Sequence, residues 1–222
     1  MIRQKRNLLE TYSLPPGDIE AQSFRIIVGL LPDLKFTPRE FQVVTRIVHT
    51  SGEPEMSRQV LFHPKSIDTA IKTIQKGKDI FTDVHMVVAG INSKLAATFG
   101  CQIHCALDTP KVNGNNTGGM TRTAAAMRSL GHKLDGTLVA IGNAPTALLT
   151  LLDMIDEGKA MPAIIIGMPV GFVAASEAKT ELAKRDTPFI TVKGTRGGSA
   201  VTAATVNALI LLAIESLTNQ KE

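Results

Sequence analysis

The residue best suited to proton transfer in this sequence is His49. It stands three residues after Arg46 in a pattern of helical spacing, so the two side chains share one helix face. Histidine exchanges a proton near neutral pH, and a neighbouring arginine can bind a carboxylate. A purely structural role stays open, because the end of a helix also favours a positively charged side chain. Four further histidines have weaker claims: His63, His85, His104 and His132.

Three segments rich in Gly, Asn, Ser, Thr and Pro suggest a binding site. They are residues 142–146, 167–172 and 194–199, and each follows a β-type run and precedes a helical one. Glycines at such junctions let a ligand approach the backbone, and the amides of the next helix can bind anionic groups. Ordinary turns are the alternative. Because all three junctions are expected at one sheet edge, they favour a binding site, with Asn143 and Ser199 as candidate ligand-binding residues.

Several other chemistries lack their sequence patterns. No segment matches the glycine-rich dinucleotide fingerprint or the lysine-containing phosphate loop, so a nucleotide-dependent α/β enzyme is poorly supported. No nucleophile elbow of the G-x-S-x-G type is present. Cys101 and Cys105 flank His104, but no further ligands follow at the spacing of a zinc finger. We therefore predict two buried, unpaired cysteines and no metal site.

Composition limits the partners of the chain. The net charge of +4 is scattered, and no block of Lys and Arg interleaved with aromatics appears, so nucleic-acid binding is not expected. A mild basic excess suits an anionic small molecule. Apolar stretches are interrupted before they reach the roughly 20 residues of a spanning helix, and no signal-peptide pattern follows the basic N-terminus. The expectation is a cytoplasmic protein without a membrane segment.

The elements that must position these residues follow from periodicity. The first third is predicted to be helical, with helices near 18–30, 37–51 and 64–77; residues 37–40 form a capping box, and Gly52 ends the second helix just after His49. Five short apolar runs then alternate with helices, at 79–82, 102–105, 137–141, 163–166 and 188–192. This pattern predicts a doubly wound α/β fold with a mainly parallel sheet of about five strands, in a single domain spanning 1–222. Residues 111–119 are predicted to form a surface loop.

Five segments of the chain resemble the precorrin-8X methylmutase family in order and spacing. They are residues 23–27 (SFRII), 46–49 (RIVH), 141–148 (IGNAPTAL), 167–173 (GMPVGFV) followed by Ser176 and Lys179, and 196–200 (RGGSA). The resemblance extends over residues from about 18 to 215. Any one of these segments alone would be weak evidence, whereas five in register are strong evidence.

The resemblance implies an isomerase that moves a methyl group from C-11 to C-12 of precorrin-8, or of its cobalt complex, in cobalamin biosynthesis. This formal 1,5-sigmatropic shift gives hydrogenobyrinate or cobyrinate and needs no cofactor. It implies that His49 is the catalytic residue, that Ser23 and Arg46 contact the substrate, and that Arg122 faces it.

The resemblance further implies a homodimer with the site near the subunit interface. Arg46, Arg122 and Arg196 would suit the carboxylate arms of this corrinoid substrate. The alternative of a different class is a corrinoid carrier that binds the ring without catalysis.

Overall fold

The structure is a computed structural model that describes residues 15–31, 35–109 and 119–218. The predicted surface loop at 111–119 lies outside the described residues except for Gly119. The helices are α1 (Pro16–Leu30), α2 (Pro38–Ser51), α3 (Ser66–Gln75), α4 (His85–Gly90), α5 (Ser93–Ala97), α6 (Arg122–Leu130), α7 (Pro145–Asp156), α8 (Ala175–Leu182) and α9 (Ser199–Thr218). The strands are β1 (Val60–Phe62), β2 (Ile80–Thr82), β3 (Ile103–Cys105), β4 (Leu138–Ile141), β5 (Ile164–Gly167) and β6 (Phe189–Val192).

The helix that carries His49 begins and ends where its sequence predicts. Thr37 Oγ1 accepts a hydrogen bond from the Glu40 backbone N–H, and the Glu40 carboxylate accepts one from the Thr37 N–H, which completes the capping box. At the other end Gly52 adopts φ +69°, a left-handed conformation that suits glycine and stops the helix. His49 therefore lies in the last turn of α2.

The six strands form one sheet in the order β1-β6-β5-β4-β2-β3. Strands β2 to β6 are parallel and correspond to the five predicted runs. The sixth strand, β1, pairs antiparallel with β6 at the edge and was not predicted. It has only three residues and follows a 3-10 turn at Pro54–Gln59, so it lacks the length that makes a strand pattern visible.

Buried side chains alternate between the two faces of the sheet, as a doubly wound fold requires. Leu138 and Ala140 of β4 join the core under α2, α3, α4 and α9, whereas Val139 and Ile141 join the core under α6, α7 and α8. The predicted fold class, a mainly parallel sheet flanked by helices after a helical N-terminal third, is confirmed.

The long C-terminal helix α9 is apolar over most of its length. Over Ser199–Thr218 it has the length and composition of a membrane span. However, 56% of its most apolar 18-residue stretch is buried inside the protein. It packs against α2, α3 and α4 and crosses strands β4 and β5. A core helix of this kind satisfies the same criteria of length and hydropathy, so α9 is the central helix of the core.

Candidate functional site

The carboxyl ends of the parallel strands bring the three glycine-rich junctions to one edge of the sheet. β4 leads into residues 142–144, β5 into 168–174 and β6 into 193–198, before α7, α8 and α9 begin. Backbone contacts join the last two junctions: the Gly198 N–H donates to the Met168 carbonyl at 2.8 Å, and the Gly171 N–H donates to the Thr195 carbonyl at 3.0 Å. The predicted clustering of these segments is therefore present.

The buried carboxylate of Asp83 shapes the first junction. Its two oxygens accept hydrogen bonds from the backbone N–H groups of Gly142 (3.0 Å), Asn143 (2.8 Å) and Ala144 (2.8 Å). Burial raises the pKa of Asp83, and the three backbone donors offset part of that rise. Asp83 was not predicted from the sequence, because an aspartate after a strand carries no distinguishing pattern.

Two glycines allow close packing at this edge. A Cβ on Gly142 would lie 2.8 Å from the Cα of Ser199, so only glycine lets the β4 junction approach the start of α9. A Cβ on Gly197 would lie 2.2 Å from the Met168 carbonyl oxygen, and the residue has φ +144°. The backbone of the β6–α9 segment (residues 193–198) is thereby held against the β5 junction.

The side chain of Lys179 holds the β6–α9 segment from the side of α8. Lys179 on α8 is only 2% exposed, and its Nζ donates to the backbone carbonyl of Arg196. Burial lowers the pKa of Lys179 to about 8. Lys179 therefore positions the peptide of Arg196 and does not present its ammonium group to solvent.

His49 is held in place by residues of α1. Its Nδ1 lies 2.8 Å from Ser23 Oγ, and its ring and that of Phe24 form a T-shaped contact with centroids 5.4 Å apart. Within the described parts of the chain, Nε2 of His49 makes no hydrogen bond, and the side chain is exposed. One ring nitrogen is thus positioned by Ser23, while the other has no hydrogen-bond partner among the described residues.

Arg46 extends this group of residues by one helical turn. Its guanidinium carbon lies 4.8 Å from the centroid of the Phe24 ring, and the guanidinium forms an ion pair with Glu20 of α1. The predicted shared face of Arg46 and His49 is present, because both side chains contact Phe24. Phe24 and Arg46 also line a cavity of about 340 Å³ between α1, α2 and α9.

An ion pair connects the end of α2 to the sheet edge. Arg196 in the β6–α9 segment pairs with Glu53, which follows α2 directly after Gly52. This contact joins Arg196 to a residue only four positions after His49, although Arg196 itself is far from both in sequence. Glu53 is a second residue that was not predicted, since its partner can be found only from the fold.

The remaining predicted residues lie at the β4 junction. Arg122 begins α6 and is exposed, and the preceding Thr121 contacts Thr146 of α7 through their hydroxyls at 2.7 Å. Asn143 is exposed beside the buried Gly142, whereas Ser199 is buried at the start of α9. In the described residues no hydrogen bond or ion pair joins Arg122, Asn143 or Ser199 to His49. The contacts of the described residues therefore bring Ser23, Arg46 and His49 together and leave Arg122, Asn143 and Ser199 outside that group.

Comparison with known proteins identifies a family for nearly the whole chain. The family model described as Precorrin-8X methylmutase matches residues 18–212. A cobalt-precorrin-8 methylmutase of Priestia megaterium is 41% identical over 214 residues, covering 96% of this chain and 95% of the relative. A precorrin-8X methylmutase of Sinorhizobium sp is 40% identical, covering 86% and 92%.

A solved structure supports the same relationship. The crystal structure of precorrin-8X methylmutase from Thermus thermophilus superimposes with a TM-score of 0.83 at 36% identity, covering 89% of this chain and 98% of that one. Sequence and fold therefore agree with the resemblance of the five segments. The chain belongs to the precorrin-8X methylmutase family of isomerases.

Proposed function

We propose that this chain catalyses migration of a methyl group from C-11 to C-12 of precorrin-8 or cobalt-precorrin-8, with His49 as the proton-transfer residue. Membership of the methylmutase family supports the reaction. The observation that carries the role of His49 is its contact with Ser23: the imidazole is held through Nδ1, while Nε2 makes no hydrogen bond among the described residues and the residue as a whole is exposed.

The Ser23 contact lets the imidazole act in either proton-transfer direction. When the Ser23 hydroxyl donates to Nδ1, Nε2 carries the proton and can donate to the ring system of the substrate. When Nδ1–H donates to Ser23, Nε2 is free to accept a proton. Hydrogen bonding or protonation at the ring polarises the conjugated system, so the methyl group migrates within one molecule and the proton is returned afterwards.

The acidic arms of the substrate suit the cationic and amide groups of this edge. Arg46 and Arg196 can each form charge-assisted bonds to a carboxylate once the substrate replaces Glu20 or Glu53 as partner. Arg122 is exposed at the neighbouring helix start. Asn143 and Ser199 are the proposed polar contacts at the β4 junction. No cofactor is required for this shift, and a soluble, cytoplasmic enzyme acting as one domain fits the family.

We also propose that two copies of the chain form the working enzyme. Phe172 is 93% exposed and Val173 is 84% exposed in the β5–α8 segment, and α1 exposes Ile19, Ile26, Val28 and Leu30. Exposed apolar groups of this kind favour an interface. The 340 Å³ cavity beside Arg46 lies at the small end of ligand pockets, which favours completion of the site by a second copy. Light scattering should give about twice the chain mass of 23.7 kDa; a monomer would contradict the dimer proposal.

Substitution of His49 separates catalysis from binding. We expect His49→Ala to lower the methyl-migration rate at least about 100-fold, the usual contribution of general acid–base catalysis, while binding of the corrin product is largely retained. His132→Ala is the matched control, because His132 is exposed in the turn before β4, at the amino ends of the parallel strands, whereas the candidate site lies at their carboxyl ends. Ser23→Ala should give an intermediate rate, since it removes only the positioning contact.

The same measurements decide between the enzyme and a corrinoid carrier. Wild type that binds the product but never converts precorrin-8 or its cobalt complex would support the carrier. Conversion by His49→Ala at the wild-type rate would show that His49 is not the proton-transfer residue. Thermal stabilisation by a corrinoid but not by NAD or ATP would agree with the absence of nucleotide motifs.

A further inference from the structure

A cluster of three metal-ligand side chains lies at the far end of the carboxyl edge. His85 begins α4, Cys105 ends β3 and Asp108 ends the 3-10 turn at Ala106–Asp108. One ligand atom of each residue lies within 4.8 Å of the other two. Strand β3 lies at one edge of the sheet, four positions from β6, the strand that leads to Arg196. This cluster is therefore separate from the group that contains His49 and Arg196.

We propose that His85, Cys105 and Asp108 form a binding site for one divalent transition-metal ion of the zinc class. Imidazole nitrogen, thiolate sulfur and carboxylate oxygen are the three ligand types that Zn²⁺ uses in proteins. The thiolate and the carboxylate together balance the two charges of the ion. A fourth position is left for water, since the two outer ligands are exposed to solvent.

The ligand atoms of the ion-free cluster lie within 4.8 Å of one another, so the sulfur must approach the other two ligands by up to about 1.3 Å to share a tetrahedral zinc ion with them. His85 Nε2 donates to Asp108 Oδ1 at 2.7 Å, whereas two ligands of a tetrahedral zinc ion stand about 3.3 Å apart at ordinary bond lengths. The His85 and Asp108 side chains are 64% and 65% exposed, so both can move by that amount without disturbing the core. Metal binding would displace the proton that these two side chains now share.

The surroundings of Cys105 favour a cation. Cys105 is buried at the end of its strand, and Cys105 and Asp108 both line a groove of about 510 Å³. Asp108 places a carboxylate oxygen within 4.8 Å of the sulfur, which adds negative charge beside it. Of the other groups in the groove, His104 already bonds to Asp79 at 3.0 Å, and Lys133 is a cation.

The other cysteine provides a matched control. Cys101 is also buried and unpaired, but its sulfur contacts the Ile74 carbonyl at 3.4 Å on the α3 side of the sheet. No group of three potential ligands includes Cys101 within the described residues. The pattern of sequence spacing could not reveal the proposed site, because its ligands come from a helix, a strand and a turn that only the sheet brings together.

Titration of the tag-free, metal-stripped full chain with Co²⁺ tests this proposal. Binding of one Co²⁺ per chain should produce a thiolate charge-transfer band in the near ultraviolet and strong visible bands of tetrahedral Co²⁺, and Zn²⁺ should displace both. Cys105→Ser should abolish the charge-transfer band, and His85→Ala and Asp108→Asn should each weaken Co²⁺ binding at least about 100-fold. Cys101→Ser should bind as the wild type does.

The exposed ligands keep the test decisive if Cys105→Ser fails to fold, because substitution of His85 or Asp108 does not remove a core side chain. Wild type without a charge-transfer band would overturn the proposal. So would a band that persists at full strength in both His85→Ala and Asp108→Asn, or one that is lost in Cys101→Ser. None of these readouts depends on methylmutase activity.

Discussion

Substitution of Gly197 by alanine tests whether the β6–α9 segment must pack against β5 as closely as the structure shows. The new Cβ would lie 2.2 Å from the Met168 carbonyl oxygen and 3.2 Å from the Pro169 carbonyl oxygen, so the segment must retreat by about 1 Å to reach ordinary contact. The hydrogen bond from Gly198 N–H to the same Met168 oxygen would be stretched or lost.

The expected loss of stability has two sources. Overpacking costs about 1–3 kcal/mol, and an alanine held at φ +144° adds strain of about 1–3 kcal/mol. We therefore expect Gly197→Ala to lower the free energy of unfolding by about 4 kcal/mol. Gly194→Ala is the matched control in the same segment. Gly194 has φ +73°, but a Cβ there would meet no atom within 4 Å, so this variant should lose only about 1–2 kcal/mol.

The loss of activity in the two variants should follow the same order as their loss of stability. A displacement of about 1 Å moves Arg196 and the start of α9, and a misplacement of that size can cost about 100-fold in rate. We expect kcat/KM for methyl migration to fall by about that factor in Gly197→Ala and only severalfold in Gly194→Ala. Urea unfolding and steady-state turnover of both variants are the assays. Equal losses in the two variants would refute the claim that close packing at Gly197 positions this segment.

Two further predictions concern stability. Burial lowers the pKa of Lys179 to about 8, below the 10.5 of a free lysine, so the unfolded chain binds more protons between these values. As the pH increases from 8 to 10.5, the unfolding free energy of the wild type should therefore rise relative to that of Lys179→Met by up to about 3 kcal/mol. Urea unfolding of both proteins at the two pH values measures this change. A difference between the two proteins that stays constant with pH would contradict the prediction. Thr37→Ala should lower the unfolding free energy by about 1 kcal/mol, because it removes the capping box. The control variant Thr50→Ala, at an exposed position in the last turn of α2, should change the unfolding free energy little. Equal effects of the two substitutions would show that the cap contributes nothing.

The parts of the fold that depend on local patterns were predictable from the sequence. The capping box at Thr37 and the left-handed Gly52 define α2 with short-range interactions. Four of the five parallel strands, β2, β4, β5 and β6, are mostly apolar because both of their faces are buried, whereas the edge strand β3 is only partly buried. The helix near 18–30 was also predicted, although it begins two residues earlier, at Pro16. The short strand β1 was missed because only its pairing with the distant β6 makes it a strand.

In the candidate site, too, the features set by local patterns were predictable, whereas those set by distant partners were not. His49 and the three glycine-rich junctions could be found from residue type and spacing. The roles of Asp83 and Glu53 could not, because each depends on a partner that is distant in sequence and adjacent only in the folded chain. Which ring nitrogen of His49 is positioned also depends on the packing of α1 against α2, which no local pattern specifies.

A crystal structure of the chain with its corrin product bound is the most direct test of the role proposed for His49. We predict that Nε2 of His49 lies within hydrogen-bond distance of the macrocycle, with Nδ1 still in contact with Ser23. A product bound elsewhere, with the His49 imidazole out of reach of the ring, would contradict that role.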